Sequence, residues 1–186
     1  MMLKLFFLLI TILTYSNFSY GVVKRHDING KLYEISQAPA YILDMPGDGH
    51  GVLIDSQWVV TAAHTTSLSD RGKVFRIGHK DYEIDKVVIH PSHITSPSYL
   101  HQGDAKPLMD FQTKDKDIAL LKLTTKVTGV KPIQLYDGNN EQDKIITAYG
   151  KGATGNGLIG AQLETRGLGV MNRFTNVINK VSDKWL

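Results

Sequence analysis

Cysteine is missing from all 186 residues of the chain. Its absence excludes disulfide staples, a cysteine nucleophile, a thiolate metal site and thiol redox chemistry. The fold has to be held by its core alone, which suits a domain of more than about a hundred residues. Charge of one sign is scarce too: 21 Lys and Arg face 18 Asp and Glu, a net charge of only +3. So small an excess, spread along the sequence, argues against a nucleic-acid partner and against electrostatic attraction to membranes. There is no internal repeat and no low-complexity segment, and no long stretch shows a helical period.

The one long apolar run lies at the start. Met1 to Lys4 supply a positive charge, Leu5 to Leu13 are apolar except for Thr11, and Thr14 to Gly21 are polar or small except for Phe18. This three-part layout predicts a secretory signal peptide over residues 1–21, cut after Ser19 or Gly21, because the run is too short to cross a bilayer. The mature protein is then expected to be soluble and secreted, extracellular or periplasmic, with a net charge near +2 and no membrane partner after cleavage.

Apolar residues make up 42% of the chain and charged ones 21%, the proportions of an ordinary globular protein. With 17 glycines, the chain reads as short strands separated by turns. Val22 to Ala38 is a polar lead-in. Strands are expected over Gly51–Ile54, Trp58–Val60, Lys73–Ile77, Tyr82–Ile89, Ile118–Leu123 and Ile145–Tyr149. Spacing of this kind predicts an all-β sandwich or barrel. Pro91 to Thr113 reads as a long polar loop, and loops of that length are usually functional or inserted. The alternation Lys114, Asp115, Lys116, Asp117 reads as solvated loop.

Two segments carry chemistry. In Trp58-Val59-Val60-Thr61-Ala62-Ala63-His64 a β run stops abruptly, two alanines turn the chain, and a histidine comes next. Such a stub holds an imidazole rigidly at a sheet edge, where a general base has to sit. An isolated His on a turn would otherwise be an ordinary surface residue. In Asp117-Ile118-Ala119-Leu120-Leu121-Lys122-Leu123 an Asp stands directly before an apolar strand, where it would by itself be a turn residue. His90, His93 and His101 with Asp104 or Asp110 offer imidazole and carboxylate donors, but their spacing matches no metal motif, so no metal is expected.

Together the two segments resemble the active-site His and Asp segments of the chymotrypsin/trypsin-like serine proteases, most closely secreted, cysteine-free members of bacterial type. Val87-Val88-Ile89-His90-Pro91 is similar to the family's strand ending in H-P, and Ala148-Tyr149-Gly150 to its G-W-G turn. The resemblance covers roughly residues 40 to 160. It implies a double antiparallel β-barrel: 22–135 as the first barrel with His64 and Asp117, and 136–186 as part of a second. It also implies a serine-type endopeptidase without a cofactor, acting on proteins or peptides through an acyl-enzyme. His64 would be the general base and a buried Asp117 its orienting partner.

Three departures qualify that implication. The family's G-D-S-G-G is not in the sequence, and the only Ser after Asp117 is Ser182, without flanking glycines. The chain is therefore expected to be an N-terminal portion, inactive by itself. The alternative is a non-catalytic secreted homologue that binds rather than cleaves. A quality-control protease of the HtrA type shares the catalytic order, but its His segment reads T-N-A-H. Next, Lys24-Arg25 is a dibasic cleavage candidate that leads into His26-Asp27-Ile28, not into an I-V-G-G start. Last, Thr65 stands where many relatives have a Cys. Substrate preference and oligomeric state are not legible.

Overall fold

A computed structural model describes residues 22–46, 49–101, 104–162 and 169–181. The expected signal peptide, and Ser182, lie outside the described residues. The strands are β1 (Val22–Lys24), β2 (Glu34–Ile35), β3 (Ile42–Asp44), β4 (His50–Asp55), β5 (Trp58–Thr61) and β6 (Val74–Ile77). They continue with β7 (Lys80–Ile89), β8 (Ala119–Leu123), β9 (Ile145–Gly150), β10 (Thr154–Asn156), β11 (Gly160–Gln162) and β12 (Met171–Val177).

The chain divides into two units. One comprises Met1–Glu34 with Lys151–Val170. Within it β10 pairs parallel to β1 and antiparallel to β11. The other comprises Ile35–Gly150 with Met171–Leu186 and contains both candidate residues.

In this second unit six strands run in the order β3-β4-β5-β8-β7-β6. Every neighbouring pair is antiparallel. The two end strands, β3 and β6, approach each other, so the sheet curls into a nearly closed barrel. Alternate side chains point inward, as a half-buried strand requires. Leu53 of β4, Val59 of β5 and Leu121 and Leu123 of β8 are fully buried, as are Ile77 of β6 and Ile84 of β7. The period breaks once on β7. Tyr82 and Ile84 face inward, but the next inward residue is Val87, because the register shifts between Ile84 and Lys86. A bulge of this kind adds one residue to one strand and bends it, re-aiming the residues beyond. On β7 those residues lead into the turn at His90.

Outside the barrel, β12 and β9 pair antiparallel from Asn172 opposite Gly150 to Val177 opposite Ile145, in a sheet of order β2-β12-β9. The expectation of an all-β, trypsin-like barrel fold holds. The stretch 91–113, however, is not all loop. It contains a short 3-10 turn, Ser98–His101, and an α-helix, Lys106–Gln112. Pro107 stands at the start of that helix, where its fixed φ fits and no backbone donor is needed, and Lys106 pairs with Asp110 one turn on at 2.7 Å. So short a helix, buried nowhere, leaves no apolar stripe for a sequence reading to find.

Candidate active site

Strand β5 ends at Thr61, and Ala63–Thr65 form a single 3-10 turn with Ala63 buried. Small side chains let this turn pack against the barrel end while His64, two-thirds exposed, stands off it. Hydroxyls fix the turn from behind. Thr61 Oγ1 lies 2.9 Å from Thr65 Oγ1 and 2.9 Å from the His50 carbonyl, and Thr65 Oγ1 lies 2.8 Å from the Ala62 carbonyl. Two hydroxyl protons therefore serve three contacts. Thr65 thus supplies a hydrogen-bonded clasp behind the turn. Gly49 takes a φ of 80°, and a Cβ there would meet Thr65 Cγ2 at 2.8 Å, so only glycine lets the β3–β4 turn close on the clasp.

The segment after His64 is held by Asp70, a buried carboxylate. Its Oδ2 accepts from Thr66 Oγ1 at 2.8 Å and from the Ser67 amide at 2.9 Å, and its Oδ1 from Lys73 Nζ at 2.7 Å. Burial alone would raise its pKa, but the Lys73, Ser67 and Thr66 donors outweigh burial and leave it lowered from 3.8.

Asp117 immediately precedes β8. The structure brings it to His64: Oδ2 lies 2.6 Å from His64 Nδ1, and Oδ1 accepts the His64 backbone amide at 2.9 Å. A carboxylate only accepts, so Nδ1 carries the proton and Nε2 is the basic nitrogen. Burial works to raise the pKa of Asp117. The two hydrogen bonds from His64, and the charges of His64 and His93, outweigh it, so Asp117 is lowered from 3.8. One implied feature differs. The family resemblance implies a buried Asp117, yet its side chain is 38% exposed because it opens onto a cleft. That cleft, of about 1110 Å³, is lined by His64, Leu68, His93, Ile94, Phe111 and Asp117 among others.

Sequence reasoning missed a second imidazole–carboxylate pair beside the first. His93 Nδ1 lies 3.0 and 3.1 Å from the two oxygens of Asp115, and the Ile94 amide donates to Asp115 Oδ1 at 2.9 Å. The side chains of His93 and Asp115 are only 12% and 8% exposed, so the reading of residues 114–117 as uniformly solvated is wrong at Asp115. Nothing in the alternating charges signals this, since the partner lies 22 residues earlier. The possible donors His90, Asp104 and Asp110 are each bonded to a near neighbour in sequence: His90 Nδ1 accepts from the Ser92 amide, Asp104 from the Lys106 amide, and Asp110 from Lys106 Nζ. His93, Asp115 and Asp117 do place three donor atoms within 4.8 Å of one another. There the Nδ1 electron pair needed for a metal carries a proton shared with Asp115, and that arrangement is satisfied as it stands.

The curled six-stranded sheet, with a histidine at the end of one strand facing an aspartate before another, defines a chymotrypsin-type barrel. Among solved structures, neuropsin, described as a serine protease expressed in the limbic system of mouse brain, is similar at a TM-score of 0.53 and 18% identity. The match covers 79% of this chain and 64% of that one, so the chain spans less than two thirds of the neuropsin structure. None of the curated proteins matches. The trypsin family profile matches residues 41–183, and the chain belongs to the trypsin family.

Proposed function

We propose that the protein is the His- and Asp-bearing part of a serine-type endopeptidase that hydrolyses protein or peptide substrates through an acyl-enzyme. The observation that carries this reading is the doubly bonded His64–Asp117 pair: one carboxylate oxygen takes the ring proton and the other the backbone amide of the same histidine. Held so, the imidazole presents a basic Nε2. That nitrogen would take the proton of an attacking serine hydroxyl and return it to the leaving amine, while Asp117 keeps the tautomer and stabilises the imidazolium. No cofactor enters this chemistry.

The 186 residues contain no G-D-S-G-G segment, and Ser182 has no flanking glycines to build an oxyanion hole, so these residues supply the base and its orienting partner and not the nucleophile. The same proposal takes residues 1–21 as a secretory signal, 22–135 as the first barrel and 136–186 as part of the second. It places the mature protein outside the cytoplasm. Among the described residues no helix is long and apolar enough to cross a membrane.

The test is peptide hydrolysis by the protein encoded by the complete reading frame, with and without an active-site serine reagent. Hydrolysis abolished by the reagent, with Asp117→Asn lowering kcat about 10⁴-fold, is the expected result. The 186-residue chain alone should release no product. A complete protein that binds peptides but neither cleaves them nor reacts with the reagent would overturn the reading in favour of a non-catalytic secreted homologue.

A further inference from the structure

Asp117 is half exposed and bonded within the site to His64, so burial does not fix its position. Its anchors lie one residue away on one side and two on the other. Ile118, directly after it, accepts the His90 amide on its carbonyl at 3.0 Å. Asp115, two residues before it, is gripped by His93 Nδ1 and the Ile94 amide. Both grips come from one turn, closed on itself by the His93 amide donating to the His90 carbonyl at 2.9 Å. The candidate aspartate therefore sits in a bracket whose two ends are fastened to the same turn at the end of β7.

We propose that His93, acting through Asp115, is a positioning residue that holds Asp117 in register with His64. This inference rests on the reading of His64 and Asp117 as one functional pair. His93 does not bond Asp117 directly: its Nδ1 is 3.9 Å from Asp117 Oδ1, beyond hydrogen-bond distance. Its leverage comes from Asp115. A carboxylate with an 8% exposed side chain cannot exchange a lost protein donor freely for water, so without His93 the loop has to move to rehydrate it. Movement at Asp115 passes to Asp117 across Lys116 alone, and a displacement of about 1 Å at a catalytic group costs about 10²-fold in rate. His93 also contributes to the lowering of the Asp117 pKa, which is consistent with the two groups facing each other.

The experiment reads the His64–Asp117 hydrogen bond itself and needs no hydrolysis. The low-field proton on His64 Nδ1 is monitored by NMR in the full 186-residue chain, in the unsubstituted protein and in His93→Ala, His93→Asn and His93→Gln. Asn carries an amide nitrogen near the place of Nδ1 and can still donate to Asp115, whereas Gln carries it near Nε2 and cannot. Unfolding midpoints are recorded alongside. The expected result is a clear signal in the unsubstituted chain, retained in His93→Asn, and at least fivefold weaker through water exchange in His93→Ala and His93→Gln.

A signal unchanged in His93→Ala, or lost equally in His93→Asn, would overturn the proposal. If His93→Ala does not fold, the Asn and Gln variants carry the same comparison. A failed hydrolysis assay leaves this result standing, while a retained signal in all variants leaves the protease reading standing, so the two failures are separable. In the complete enzyme His93→Ala should lower kcat on the order of tenfold to a hundredfold with KM unchanged.

Discussion

Two regions of the larger unit are built from the same material, apolar antiparallel strands, with opposite results. In the six-stranded barrel every strand places its alternate residues in one core, and Leu53, Ile84, Leu121 and Leu123 have no exposed surface. In the β9–β12 pair the backbone register is as regular, yet Ile145 is 74% exposed, Ile146 40% and Val177 42%. Ile145 and Ile146 are consecutive on one strand, so they point to opposite faces, and among the described residues neither face is covered at that end. Ladder hydrogen bonds give both regions their geometry, but the barrel buries apolar residues along every strand, whereas the β9–β12 pair buries Met171 at one end and leaves Ile145, Ile146 and Val177 exposed at the other.

The largest expected effect breaks this comparison directly. Leu121→Ala, at the centre of β8 between β5 and β7, should cost about 2–5 kcal/mol from lost burial and the cavity left behind. Ile145→Ala on β9 should change stability by no more than about 0.5 kcal/mol. Urea unfolding of the two variants measures both. Equal losses would mean that β9 is covered after all.

A medium effect tests how tightly the covered region reaches the site. Gly49→Ala would put a Cβ 2.8 Å from Thr65 Cγ2 at a φ of 80° and should cost about 1–3 kcal/mol. Thr65→Ser removes the opposing methyl and keeps the hydroxyl. In that background Gly49→Ala should cost less, with the backbone strain alone remaining. Denaturant midpoints of the four proteins form the cycle, and strict additivity would show that the two residues do not meet.

The same contrast explains how much can be read from the sequence. Trp58 to Ala63 and Ile118 to Leu123 are legible because a short apolar run bounded by turn residues reports a strand wherever it lies, and the barrel comes from several such strands. His64 and Asp117 are legible through the motif around them, and their meeting is a consequence of β5 and β8 being neighbours, with Thr61 opposite Ala119. The grip of His93 on Asp115 is not legible. It depends on the bulge in β7 and on a turn that folds back to the start of β8, and neither leaves a period or a local pattern. The helix Lys106–Gln112 escapes for the related reason that it buries no residue. Long-range polar contacts between loops are the part of a fold that residue patterns describe least.

The smallest expected effect sharpens the comparison with two carboxylates in place of two sheets. Asp70 and Asp117 are both lowered from 3.8, but the Asp70 side chain is 10% exposed and that of Asp117 is 38%. A carboxylate whose folded-state pKa lies below its unfolded value stabilises the fold above the unfolded value and loses that contribution as pH falls through the folded one. Both groups should therefore add acid sensitivity below about pH 4, with the contribution of Asp117 reduced by solvent screening. Unfolding free energies from about pH 6 to about pH 3 should fall less steeply in Asp70→Asn than in the unsubstituted chain, and Asp117→Asn should flatten the curve less. The ordering matters because Asp70 holds the segment after His64 through Thr66, Ser67 and Lys73, whereas Asp117 orients the imidazole from the open side of the cleft. If Asp117→Asn flattened the curve more, the exposed carboxylate would be the stronger structural tie, and burial would not be what separates the two.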